Sequence, residues 1–155
     1  MKLPLYFALF LFNTSLLGQD QELSNTNPRV ERPVGINAIV GGPGIYSLSV
    51  DYYAAPTVNL EAGLGPAIFA GIRYHLNGQK AHKAWTPFTG IYGTYFWVFE
   101  GFTDDFGGNV PIIAYIPLGI QFNGKKGFSF SFEISAFTNF ESTVRFAGLK
   151  VGHHF

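Results

Sequence analysis

Histidine is the residue type in this sequence best suited to bind a metal ion or to act as a general base, and the chain has four histidines. His153 and His154 are adjacent, so on a strand they point to opposite faces and cannot bind one ion together. His75 can share a face with His154, but no ligand spacing typical of a metal site accompanies them. The sequence has no cysteine, which excludes thiolate ligands and cysteine nucleophiles. We therefore expect no metal site and no cofactor.

Serine could serve as a nucleophile, but that chemistry needs a neighbouring base. The segments that carry histidines contain no serine, and no His-x-Ser motif occurs. The serines lie mainly on the polar side of alternating segments, away from the histidines. We therefore expect no catalytic residues and no enzyme activity.

The charged residues are few and occupy particular positions. They make up 13% of the chain, about half the usual share for a soluble globular protein, and the formal net charge is zero. A protein without excess charge does not attract nucleic acid, which we exclude as a partner. Five charged residues recur at alternating positions among glycine, serine and asparagine: Asp51, Glu61, Arg73, Glu133 and Lys150. Small residues with charges of both signs suit a narrow lumen, so we predict that these five form an ion-pair network inside a barrel.

The elements that position these residues are strands, because the sequence alternates with period two. The clearest case is the stretch 127–137, where three phenylalanines, an isoleucine and an alanine face away from three serines and Glu133. About eight such segments lie between Val34 and Phe155, separated by turn sequences such as Asn123-Gly124. This pattern predicts an all-β fold, an antiparallel up-and-down barrel of about eight strands.

Two strands of the predicted barrel carry a particular expectation. In the stretch 87–99 both faces are rich in aromatic residues, and we place Ile91, Tyr95, Trp97 and Phe99 outward. Pro117 lies inside another strand and cannot donate a ladder hydrogen bond, which predicts a bulge or a local bend there.

Alternation alone does not say which face lies inside, because a soluble ligand-binding barrel has the same period with its apolar side inward. Apolar residues make up 47% of the chain and aromatic residues 17%, while ions are scarce. A water-facing surface is difficult to build from this composition. We therefore predict that the apolar face contacts lipid and that the barrel spans a membrane.

The first 33 residues do not follow the alternating pattern. Residues 1–18 combine one cation, Lys2, with an apolar run. The run is too short to span a bilayer as a helix, which needs about 20 residues. This pattern predicts a cleavable signal peptide. Residues 19–33 are polar and lack periodicity, which predicts a flexible lead-in on the periplasmic side. The barrel domain is then expected to occupy residues 34–155, in the cell outer membrane.

The end of the sequence carries a further signal. The last strand ends with an aromatic residue and has the spacing Lys150-x-Gly152-x-x-Phe155. This ending resembles the C-terminal signal by which bacterial outer-membrane barrels are recognised by their assembly machinery. The region 34–155 resembles the small eight-stranded family that includes the OmpA and OmpX membrane domains, and Thr86-Pro-Phe-Thr-Gly90 is similar to a strand opening common in such barrels. The resemblance implies outer-membrane lipid and the barrel assembly machinery as partners, and we expect a monomer.

From these features we expect an outer-membrane barrel with a side-chain-filled lumen and a structural or surface-interaction role. The acidic and aromatic loop in 100–109 is the best candidate for a partner contact, and its residues are Phe102, Asp104, Asp105 and Phe106. Two alternatives stay open. One is a soluble periplasmic or secreted barrel that holds an apolar ligand, and the other is an outer-membrane lipid-modifying enzyme with a serine and a histidine paired on the outer wall or the rim.

Overall fold

The computed structural model describes residues 27–80, 84–97, 112–138 and 143–155. The described chain forms a four-residue helix, α1 (Pro28–Glu31), and eight strands. The strands are β1 (Val34–Gly42), β2 (Ile45–Ala55), β3 (Val58–Leu64), β4 (Ala67–His75), β5 (Trp85–Phe96), β6 (Ile113–Asn123), β7 (Phe128–Thr138) and β8 (Thr143–His154). Each strand pairs antiparallel with its neighbour in the sequence, and β8 pairs with β1 to close the barrel. The predicted eight-stranded up-and-down barrel is confirmed.

The two ends of the barrel differ, and we name them by their contents. The arm end carries α1, the connections at 56–57 and 124–127, the last residue of β4, the first residue of β5, and Phe155. The far end carries the turns at 43–44 and 65–66, and there β5 and β7 end and β6 and β8 begin. Both chain termini of the barrel therefore lie at the arm end, as an even number of strands requires.

The apolar face of the strands points outward. On β7, Phe128 and Phe132 are each 46% exposed, whereas Ser131 between them is 0% exposed. Glu133 is buried on the same inner face. The phenylalanines therefore form the outer wall of the barrel and the serines line its lumen, as the sequence predicts.

The facing of β5 also agrees with the prediction. Ile91, Tyr95 and Trp97 are exposed on the outer wall, while Tyr92 and Phe96 are buried inside. Phe99 lies outside the described residues. Both faces of β5 are aromatic because its outward rings belong to the outer wall and its inward rings pack in the interior.

Pro117 produces no bulge. Its pairing with Ser135 on β7 follows an unshifted register. Against β5, the pairs stop at Thr89↔Leu118 and resume in the same register at Tyr92↔Tyr115. The missing proline donor thus coincides with a short gap in the ladder instead of an inserted residue, and the Thr89 hydroxyl donates to the Pro117 carbonyl at 3.0 Å. The register shifts of the barrel lie instead near two turns, between Val40 and Gly42 and between Tyr53 and Ala55.

The segment before β1 differs from the flexible lead-in that the sequence predicts. Residues 27–33, here called the arm, fold back onto the barrel. Asn27 caps α1 by accepting from the Arg29 amide at 3.1 Å, and its side-chain amide donates to the Gly78 carbonyl at 2.7 Å. Arg29 is 1% exposed. The sequence could not show this because key contacts between the arm and the barrel join distant residues, 51 positions apart for Asn27 and Gly78 and 57 for Arg29 and Thr86.

Residues 1–26 lie outside the described residues, so the signal peptide and the first part of the lead-in stay predictions. Within the described ranges, no helix has the length and apolar character needed to cross a membrane.

Candidate functional site: the lumen of the barrel

Glu61 on β3 is the centre of the ion network in the lumen. Its Oε1 lies 3.2 Å from Lys150 Nζ, and its Oε2 lies 3.3 Å from Arg73 Nε. These residues belong to β3, β8 and β4, and inward positions of the alternating pattern bring them together. A carboxylate between two cations in a buried site is held by charge from both sides.

The other two predicted carboxylates lie at the ends of the same chain of charges. Arg73 Nη2 lies 3.0 Å from Glu133 Oε2, and Lys150 Nζ lies 3.2 Å from Asp51 Oδ2. The five charges therefore alternate in sign in the order Asp51, Lys150, Glu61, Arg73, Glu133. All five residues are buried. Each cation contacts two carboxylates, which compensates for the water that it loses in the lumen.

Neutral side chains add hydrogen bonds to the network. Ser49 Oγ donates to Glu61 at 2.6 Å, and Tyr92 Oη donates to the same carboxylate at 2.7 Å. Tyr115 Oη donates to Glu133, and Arg73 Nε also donates to Tyr92 Oη. Hydroxyl donors placed between charged groups allow the ions to stay buried at lower cost.

Sequence reasoning missed the two tyrosines of this network. Tyr92 follows the outward Ile91, and Tyr115 precedes the outward Ile116, so period two places both hydroxyls inside. The signal was present in the alternation. It was obscured because tyrosine also suits the outer wall, where Tyr95 lies.

An apolar cluster closes the lumen toward the far end. Rings of Tyr115 and Phe137 lie 4.7 Å apart between centroids, and Phe137 lies 5.6 Å from Phe96. Phe69 packs edge-on against Tyr92 at 6.0 Å. The buried members of the cluster are Ile39, Ala67, Phe69, Tyr92, Phe96, Ile113, Tyr115 and Phe137. The lumen therefore holds a packed, largely aromatic layer next to the ionic one.

The arm closes the lumen at its own end through Arg29. The Arg29 Nη2 donates to Thr86 Oγ1 at 2.8 Å, and the guanidinium lies 5.9 Å from the centre of the Tyr53 ring. With the Asn123 amide oxygen facing these donors, it accepts from Arg29 Nε at 3.0 Å and from Tyr53 Oη at 2.9 Å. Among the described residues, Arg29 thus adds a third buried cation to the three buried carboxylates, Asp51, Glu61 and Glu133.

His75 and His154 are both buried, and both rings lie near Tyr53. Ring centroids of His75 and His154 are each 5.4 Å from the centroid of Tyr53. His154 Nε2 lies 3.7 Å from Asp51 Oδ1, and His75 Nδ1 lies 3.4 Å from Thr86 Oγ1. His153 points outward, as its neighbour's burial requires. Among the described residues, no group of three or more histidines, cysteines and carboxylates has the arrangement of a metal site.

The residues of the predicted assembly signal lie in different surroundings. Lys150 belongs to the ion network, and Phe155 is exposed at the arm end, where its amide donates to the Val34 carbonyl at 2.8 Å. Gly152 is needed for close packing, because a Cβ there would lie 2.0 Å from Asn37 Oδ1. The predicted loop contact, Phe102, Asp104, Asp105 and Phe106, lies outside the described residues.

No family model matches this sequence, and no curated protein matches it. Among solved structures, the crystal structure of the N-terminal β-barrel domain of Pseudomonas aeruginosa OprF is similar, with 17% sequence identity and a TM-score of 0.54. The match covers 80% of this chain and 98% of that chain. This chain has the OprF-type barrel fold. The OmpA-like eight-stranded fold that the sequence resembles is therefore confirmed.

In this OprF-type barrel, the described inward side chains form three successive layers. They are the arm with Arg29 and Tyr53, the ionic layer around Glu61, and the aromatic layer around Phe137. The five charges of the ionic layer are paired with one another. Such a lumen can hold the strands in place, and its described part offers no histidine hydrogen bonded to a serine hydroxyl.

Proposed function

We propose that this protein is an integral outer-membrane β-barrel with a structural or surface-interaction role and no catalytic activity. The observation that carries the proposal is the wall of the barrel. Large hydrophobic side chains that are 40% to 66% exposed occur on all eight strands. A continuous apolar surface around a closed barrel is suited to lipid and would drive aggregation in water.

The lumen argues against a soluble barrel that holds an apolar ligand. Such a protein would place its apolar residues inside and its ions outside. Here Glu61, Arg73 and Lys150 are inside, and Phe128 and Phe132 are outside. The apolar part of the lumen, around Phe137, is filled by packed rings.

The same filling supports a structural role. Eight strands enclose only enough space for side chains, and here those side chains pair and pack across the lumen. A protein of this kind acts through its wall and its connections. The sequence segment with Phe102, Asp104, Asp105 and Phe106 stays the predicted site of contact with a partner.

The proposed partners are outer-membrane lipid and the barrel assembly machinery, with the protein as a monomer. The assembly machinery would recognise β8 through Lys150, Gly152 and Phe155, the residues of the ending. Support comes from the position of β8, which closes the barrel by pairing with β1. An unpaired β8 edge exists only before closure, when assembly takes place.

Fractionation of cells that produce the protein tests the proposal. We expect the protein in the outer-membrane pellet, resistant to a carbonate wash and released by detergent, because its apolar wall needs lipid or micelle. Protein that stays in the supernatant after lysis without urea or detergent would contradict a membrane location and would favour the soluble barrel.

A further inference from the structure

Polar contacts hold the arm on the barrel. The Asn27 side chain donates to the Gly78 carbonyl at 2.7 Å, and α1 buries one side chain, Arg29. The Arg29 guanidinium donates to Thr86 Oγ1 at 2.8 Å and to the Asn123 amide oxygen at 3.0 Å. These acceptors are neutral, and a buried guanidinium held by neutral acceptors is bound less strongly than one held by carboxylates. A change of charge near Arg29 can therefore displace the arm.

Thr86 links Arg29 to His75. The Thr86 hydroxyl, which accepts from Arg29, lies 3.4 Å from His75 Nδ1. A hydroxyl has one proton to donate, and a neutral His75 can accept that proton at Nδ1. A protonated imidazole carries a proton on both nitrogens and cannot accept it. Protonation of His75 therefore removes this hydrogen bond and leaves two cationic donors beside one oxygen.

The surroundings of His75 oppose a positive charge on its ring. His75 is 0% exposed, and its ring lies 5.5 Å from that of Phe88, over which the Arg73 guanidinium lies at 4.6 Å. In the described structure, the charged groups that face His75 are Arg29 of the arm, Arg73 on its own strand, Lys150 on β8 and Glu61 on β3. A protonated His75 thus meets three cations and one carboxylate.

The other titratable side chains beside His75 are placed differently. Tyr53 on β2 has a neutral hydroxyl at any pH well below its ordinary pKa, about 10. His154 on β8 has its Nε2 3.7 Å from Asp51 Oδ1, so a proton on His154 gains a carboxylate neighbour. Of these two buried histidines, His75 is the one that shares an oxygen with Arg29.

We propose that the arm is an acid-sensitive latch, which closes the lumen while His75 is neutral and leaves the barrel when His75 is protonated. Release takes Arg29 out of the lumen and admits water to His75, so both charges become solvated. Because the docked arm favours the neutral imidazole, release is coupled to the uptake of one proton and is promoted as the pH falls. The latch adds a pH response to the structural role proposed above.

The test measures whether the arm is docked. The sequence contains no cysteine, so V30C at the exposed Val30 places a single nitroxide label on the arm. The full protein is folded in detergent micelles, and its electron paramagnetic resonance spectrum separates a label held on the barrel from one on a free arm. From pH 8 to pH 5, we expect the ratio of released to docked arm to rise by at most about 30-fold, for one proton and an ordinary histidine pKa of about 6.5 in the released state.

Two variants of this labelled protein assign the response. H75N keeps a neutral oxygen that can accept from Thr86 but cannot titrate, and we expect the rise to fall below about twofold. The matched control is H153N, which removes an exposed histidine of the outer wall and should keep the full rise. Cold gel migration, which reports the folded barrel, accompanies every measurement.

A ratio that stays the same between pH 8 and pH 5 would overturn the latch. A full rise in H75N, or a rise that H154N alone abolishes, would overturn the assignment to His75. R29Q gives a second test if H75N does not fold. Because R29Q removes the cation that opposes the charge on His75, its arm should be more often released at pH 8 and its ratio nearly independent of pH, and a full rise in R29Q would also overturn the latch.

Discussion

The ion network predicts that loss of one charge at its centre destabilises the barrel strongly. Glu61→Gln removes the carboxylate that lies 3.2 Å from Lys150 Nζ and 3.3 Å from Arg73 Nε. The two cations keep Asp51 and Glu133 as partners, so the loss is partial for each of them. Removing one partner of a buried ion pair typically costs about 3 to 5 kcal/mol of unfolding free energy, and we expect a loss in that range.

The assay is urea unfolding of the protein refolded in detergent micelles, followed by tryptophan fluorescence. Ser131→Ala is the matched control, since Ser131 is equally buried in the lumen but belongs to no ion pair. We expect the control to cost less than about 1 kcal/mol.

A double-mutant cycle then isolates the interaction. Because Glu61→Gln leaves Lys150 with less compensation, Lys150→Met should cost less in the Glu61→Gln background than alone, with a coupling of about 0.5 to 3 kcal/mol. If Glu61→Gln costs no more than Ser131→Ala and the coupling is zero, the charges do not stabilise each other and the reasoning fails.

Three further predictions use the same unfolding assay. Arg29→Gln should lower the free energy of unfolding by about 1.5 to 3 kcal/mol, because it removes buried hydrogen bonds from a charged donor. The control Arg32→Gln, at the surface, should lower it by less than about 0.5 kcal/mol. Equal losses would show that the arm does not close the lumen. Gly127→Ala should lower the free energy of unfolding by about 1 to 3 kcal/mol, because φ is +94° and a Cβ would lie 2.2 Å from the His154 carbonyl oxygen. An unchanged urea midpoint would refute this backbone strain. Ile91→Arg on the outer wall should cost about 2 to 4 kcal/mol when the protein unfolds from lipid vesicles, whereas a neutral effect would mean that this face is in water.

The fold could be predicted from the sequence because alternation was nearly unbroken. On β7, the serines and Glu133 fix which face is polar, and the scarcity of ions elsewhere indicates that this face is inside. Register needs no further information where turns are short, as at Asn123-Gly124. Both ends of β7, Phe128 and Thr138, fall one residue from the predicted stretch 127–137 for the same reason.

The contents of the lumen were predictable only in part. The five charges could be named because an ion on the inner face of a small barrel must meet an opposite charge. Their pairs depend on the stagger of strands around the barrel, which sequence alone does not give. Arg29 could not be found at all, because it precedes the alternating region and reaches the lumen through a fold of the arm that depends on Thr86 and Asn123.

The position of the wall in lipid is the central claim, and the two tryptophans of the chain allow it to be measured directly. Trp85 and Trp97 are both exposed on the outer wall, toward the arm end and the far end respectively. The experiment uses variants that each keep one native tryptophan, and an Ile91→Trp variant in which Trp85 and Trp97 are both replaced. Each variant is folded into vesicles whose phospholipids carry bromine at known depths. We predict strongest quenching by shallow bromine for Trp85 and Trp97 and by deep bromine for the tryptophan at position 91. Fluorescence that no brominated lipid quenches would contradict a barrel surrounded by lipid.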